Sequence, residues 1–245
     1  MNHEKTQNNT NFMQNSIGLL RAISCCFVVL FLLCSSNAFG QRIITNPTQE
    51  DPFFIPNVTV IPDKEWSVMI DFLKKENWDS AAFYSSGLMR RLKNDNDKKQ
   101  IAQLRYLYLF SLAGKIMKYH ETGKTAEKEN AWTEMDKAVT EFTGKEFILP
   151  AREYRSICDK NLNFICPVLG NDKAFRTAAT NKEATTIHSF DYVVFDKTVD
   201  LKQFADKQIF LGGTLKRVEF NEDLSEPWVM YLIFEKGFVR VVVEE

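Results

Sequence analysis

The hydrophobic period changes once along this chain, and that change constrains the fold more than any motif does. From Asp63 to about Phe142 apolar residues recur at helical spacing, and from about Thr143 they alternate with a period of two. Helices followed by strands predict an α+β protein: an antiparallel helical bundle over residues 63–142, then a mainly antiparallel β-domain over 143–245. A chain of 245 residues that is 44% hydrophobic and 26% charged can build such cores, which excludes collagen-like and wholly disordered readings.

Within the helical part, Asp63 directly follows Pro62 and reads as an N-cap. Trp66, Met69, Ile70 and Leu73 mark the first helix; a break at Glu76–Asn77 leads to a second, with Ala81, Ala82, Leu88 and Leu92 apolar. The polar run from Lys93 to Lys99 reads as a solvated turn. The third helix, Gln100 to Lys118, has one stripe of Ile101, Leu104, Tyr108 and Leu112 and another of Ala102, Tyr106, Leu109 and Ala113. Two stripes mean burial on two sides, so this helix belongs at the centre. A fourth runs from Thr125 to Glu141 with Trp132, Met135, Ala138 and Val139 inward.

The strand candidates are 145–149, 163–166, 185–195, 208–220, 228–235 and 238–243. Lys236–Gly237 reads as a tight hairpin between the last two. Gly212–Gly213 inside an apolar strand reads as a bulge or sharp bend. Val229, Tyr231, Ile233, Val239, Val241 and Val243 are the alternating set expected to face the core.

Upstream of the helices the composition differs. Residues 41–62 hold four of the seven prolines with Phe53, Phe54, Ile55, Val58, Val60 and Ile61, which predicts an extended arm lying on the folded body. Residues 1–40 read as a secretory signal peptide: Arg21, the apolar run Ala22 to Leu33, then Ala38-Phe39-Gly40 before Gln41. Twelve apolar residues fall short of the roughly 20 that span a bilayer. Cys34 raises the alternative of lipid anchoring, but Leu33 stands where a lipobox carries a small residue. The expected location is therefore the periplasm or the exterior, with no transmembrane helix left after cleavage.

Cleavage leaves Cys158 and Cys166, an even pair in an oxidising compartment, and a disulfide between them is expected. Two buried thiols are the alternative.

Two stretches resemble a known family. Asn77-Trp78-Asp79-Ser80-Ala81-Ala82 is similar to the turn and helix start of a tetratricopeptide repeat, and Tyr106 to Gly114 is similar to that family's first helix with its closing Gly. Ser85 and Lys93 depart from the family, which prefers an aromatic and a Pro there. The resemblance implies antiparallel helix pairs whose groove takes a protein or peptide, with Trp66, Trp78, Tyr84, Tyr108 and Trp132 as the partner groove. The competing occupant of that groove is the arm, through Phe53 and Phe54. In the β-part, a bent long strand followed by a hairpin resembles an OB-like barrel, with a simple antiparallel sheet as the alternative.

Catalytic and cofactor motifs are not met. Gly123-Lys124-Thr125 ends like a P-loop, but Lys118 stands where its first Gly belongs. Asn94-Asp95-Asn96-Asp97 begins like a calcium loop, but Gln100 and Tyr106 occupy the required Gly and Glu positions. No GxSxG or HExxH occurs, and of the mature histidines, His120 and His188, strand alternation separates His188 from Ser189 and Asp191. No catalytic, cofactor or metal residue is assigned. Residues 143–245 hold 14 Lys and Arg against 16 Asp and Glu, a net charge of −2, which argues against nucleic acid. Phe210, Phe220, Trp228 and Tyr231 are expected in the core instead. The resulting expectation is an exported, non-catalytic envelope binding or scaffold protein. The rival is a hydrolase of envelope polymers working through scattered carboxylates.

Overall fold

The computed structural model describes residues 63–92, 98–158, 164–205 and 207–242. The signal peptide, the arm and the polar run at 93–97 lie outside the described residues. Four helices come first: α1 (Asp63–Lys74), α2 (Trp78–Arg91), α3 (Lys98–Glu121) and α4 (Thr125–Phe142). The α1–α2 break falls where the sequence breaks. Asn77 caps α2, its Oδ1 accepting from the Ser80 N–H at 3.3 Å. As its two stripes require, α3 is the central helix: Leu104, Tyr106, Leu109, Leu112 and Ala113 are buried, and it packs on α2, α4 and the sheet. Gly114 permits the α2–α3 approach, because a Cβ there would lie 2.3 Å from the Trp78 ring.

Seven strands follow: β1 (Glu146–Ile148), β2 (Arg152–Glu153), β3 (Cys166–Val168), β4 (Asn171–Thr180), β5 (Ile187–Val194), β6 (Gln208–Phe220) and β7 (Trp228–Val241). They form one sheet in the order β1-β6-β7-β5-β4-β3, with β2 also on β6. Every pair is antiparallel except β5–β7, which is parallel. The sheet is open, so no closed barrel is formed. One parallel bridge, Tyr154 to Ile165, connects the end of β2 to the start of β3, with N–H···O distances of 2.9 and 3.0 Å. Helices and sheet share a buried cluster running from Trp66 to Phe234, and Ala102, Ile148, Phe210, Phe238 and Val242 form a second, smaller one.

The structure corrects three strand expectations. Lys236–Gly237 is not a hairpin: β7 runs through it, and the two residues are a bulge opposite Gly213, with Lys236 at φ 52°. The expected bend at Gly212–Gly213 lies at this bulge, and the Phe238 ring occupies the space a Gly212 Cβ would take, 2.1 Å away. In β7, Val229, Met230, Leu232 and Phe234 are buried in the main cluster, and past the bulge Val239 and Val241, paired with Leu211 and Ile209, pack against it, whereas Tyr231 and Ile233 face the other way. Val243 lies outside the described residues. The third correction is β4, a ten-residue strand in a segment not among the strand candidates.

Candidate functional site

Strand β5 carries the chemistry of this molecule, and its two faces differ. Thr180 pairs with Ile187 but Ala179 pairs with Ser189, so His188 is the extra residue of a bulge. The bulge breaks the alternation expected from sequence. His188, Ser189 and Asp191 are all buried, with exposures of 1%, 0% and 0%, rather than divided between faces.

All three meet the helices. The Tyr106 hydroxyl of α3 donates to Asp191 Oδ2 at 2.7 Å and lies 3.3 Å from Ser189 Oγ. Asp191 Oδ1 has no hydrogen-bond partner. Burial pushes the Asp191 carboxyl up to about 6, although the charge of Arg152 and the bonds from Tyr106 and Ser189 oppose the rise. Burial and the neighbouring Asp191 hold Tyr106 well above the usual phenol range. Arg152 is fixed by donating to Thr177 Oγ1 and the Ala178 carbonyl on β4. His188 lies edge-on to Trp78 with ring centroids 4.8 Å apart and tilted against Phe110 at 4.9 Å. Its Nδ1 is unpartnered, and burial lowers its pKa to about 3, so the ring is neutral at any ordinary pH. The four side chains are buried between the helices and the sheet, and the Tyr106–Asp191 bond joins α3 to β5.

On the outward face of β5 and β7 stand four half-buried rings. Phe190 stacks on Tyr231 with centroids 4.7 Å apart, Tyr192 stacks on Tyr231 at 5.9 Å, and Trp228 meets Tyr231 edge-on at 4.6 Å. Glu226 orients the indole, its Oε2 accepting from Trp228 Nε1 at 2.8 Å. Trp228 and Tyr231 are therefore not core residues as expected, because the inward positions of β7 go to its neighbours. The register extends two cross-strand rows: Arg176–Tyr192–Ile233–Arg217, and Ala178–Phe190–Tyr231–Glu219. Sequence reasoning missed this face because an apolar strand does not announce which parity is inward.

The five residues of the expected helical groove are distributed among internal contacts. Trp66 and Trp78 are buried. Tyr84 packs edge-on against Phe72 with centroids 5.9 Å apart. The Tyr108 hydroxyl donates to Glu134 Oε1 at 2.8 Å, and Trp132 meets Phe220 edge-on at 5.3 Å. Phe210 is buried as expected. His120 is exposed near the end of α3. Beside it, the Asp79 carboxylate of α2 accepts from Tyr119 at 2.5 Å and Lys118 at 3.0 Å on α3; these bonds outweigh its desolvation and lower its pKa.

Cys158 and Cys166 stand at disulfide distance, with Cα atoms 6.0 Å apart. Among the described residues no helix is long and apolar enough to cross a membrane, and no group of three His, Cys, Asp or Glu could hold a metal ion. No family model matches the chain, and no curated protein or solved structure does either.

Proposed function

We propose that the protein is an exported, non-catalytic binding or scaffold protein of the cell envelope, and that its partner is an extended peptide segment docking on the outward face of β5 and β7. The observation that carries this reading is the contrast on β5: the proton-handling side chains are sealed inside, while the stacked rings are outside. Aromatic side chains with a polar border are what protein interfaces are enriched in. The helical groove is a weaker candidate, because each of its aromatic residues already has an internal neighbour.

Export is supported by the arrangement of residues 1–40 and by the cysteine pair. We read the helix pairs as tetratricopeptide-like from the sequence at 77–82 and 106–114, and the strand order with its one parallel pair as OB-like. The test has two parts. N-terminal sequencing of the exported protein should begin at Gln41; an acylated Cys34 or a retained full chain contradicts export. Capture of envelope proteins by the exported chain should be lost in Tyr231→Ala and kept in Trp132→Ala. Turnover of an envelope polymer that disappears in Asp191→Asn would instead establish the hydrolase.

A further inference from the structure

We infer that the seam between β2 and β3 is a reducible clasp: the Cys158–Cys166 disulfide holds the two strands together, and a dithiol that reduces it parts them while the rest of the fold stands. This device is separate from the docking face of β5 and β7.

The first observation is how little else joins the two strands. β2 lies at the β6 end of the sheet and β3 at the opposite end, beyond β4. Among the described residues two backbone bonds cross between them, from the Arg155 N–H to the Ile165 carbonyl at 2.9 Å and from the Ile165 N–H to the Glu153 carbonyl at 3.0 Å. The Arg155 guanidinium lies 3.4 Å from the centre of the Phe164 ring, and Arg176 of β4 donates to the Cys158 carbonyl at 3.5 Å, a long bond. By comparison, β6 and β7 are paired from Ile209–Val241 to Phe220–Met230. A region opens on its own when few buried contacts and few backbone bonds tie it down, and the seam is such a region. The disulfide, between residues eight apart, is its one covalent tie.

The second observation is the unequal exposure of the two cysteines. Cys166 is buried at 2%, whereas Cys158 is half-buried and follows the exposed run Arg155-Ser156-Ile157. A reductant therefore meets the Cys158 sulfur first. Its thiolate attacks Cys158 Sγ, the S–S bond breaks, and Cys166 leaves as a thiolate that takes a proton. The second thiol of the reductant then displaces Cys158, which also ends protonated, and the dithiol departs as a cyclic disulfide. Two electrons and two protons have passed to the protein.

The third observation gives the direction of the response. Tyr154, which stands in the seam, is buried at 1% with no hydrogen-bond partner for its hydroxyl. An unpaired buried hydroxyl disfavours the closed seam, and water admitted by parting would remove that cost. Parting also frees the Arg155 and Ile165 N–H groups and the Glu153 and Ile165 carbonyls, the kind of edge to which an extended strand adds.

The test is amide hydrogen exchange, residue by residue, on the exported protein before and after treatment with a dithiol in the absence of denaturant. In the reduced protein the Arg155 and Ile165 amides should exchange on the order of 30- to 100-fold faster, the factor by which the chain-entropy model weakens closure of so short a loop. Amides of the β6–β7 ladder should keep their rates, and reoxidation should restore the slow exchange. Cys158→Ser with Cys166→Ser should behave as the reduced protein does; if that variant does not fold, reduction of the native chain decides. Unchanged exchange at Arg155 and Ile165 after reduction would overturn the inference. So would acceleration of the β6–β7 ladder by the same factor, or a disulfide that the dithiol reduces only once the whole protein unfolds.

Discussion

On its inner face β5 presents His188, Ser189 and Asp191 to the helices; on its outer face it presents Phe190 and Tyr192 to solvent. The same strand thus carries polar groups where water is excluded and aromatic rings where it is not, the reverse of the usual pattern. The inner polar groups are tolerated because helix α3 supplies partners, Tyr106 above all. The outer rings are tolerated because they cover one another. Such an inversion separates a part that holds the layers together from a part available to a partner, and substitutions on the two sides should read out differently.

The largest effect should come from the inner side. Trp78→Ala removes the ring that fills the space over Gly114 and lies against His188, and should cost about 3–5 kcal/mol in chemical denaturation. A cost near that of a surface substitution would mean the layers are not joined there. Next, Cys158→Ser with Cys166→Ser should cost about 2–3 kcal/mol in the chain-entropy model, and unreduced protein should weigh two hydrogens less than the dithiol form. Tyr231→Ala, on the outer side, should cost only about 1 kcal/mol while abolishing envelope capture. Smallest is Asn77→Ala, which removes the α2 cap and should cost about 0.5–1 kcal/mol without touching either face of β5.

Most of the helical half was legible because an amphipathic helix declares its buried face: the two stripes of α3 place it at the centre, as found. Strand β6 was legible over its full length, Gln208–Phe220. The rest of the sheet was harder for identifiable reasons. In β7 both parities are apolar from Trp228 to Phe234, so only the partners could decide that Leu232 goes in and Tyr231 out. Strand β4 places Phe175, Thr177 and Thr180 among Asn171, Asp172, Lys173, Ala174, Ala178 and Ala179, a majority without strand preference, and is set by pairing with β5 and β3. The inner site was hidden by one bulge residue, His188, whose insertion defeats any count by twos.

The central claim is that His188 and Asp191 are sealed groups with a structural role, and titration of stability tests it most directly. Asp191, unfolded near 3.9, is raised to about 6 on folding, so the folded state holds an extra proton between those values. Its contribution is full below about pH 4 and is lost as pH rises through 6. His188, unfolded near 6.5, is lowered to about 3 on folding, so the unfolded state holds the extra proton, and its contribution is lost as pH falls below 6.5. Between pH 4 and 6 the two slopes oppose each other, each worth about 3 kcal/mol across the window. Measured against wild type by denaturation at each pH, Asp191→Asn should gain stability as pH rises from 4 to 6, and His188→Gln should lose it. Parallel curves for all three proteins would show that both groups titrate as they do in water and would contradict the account.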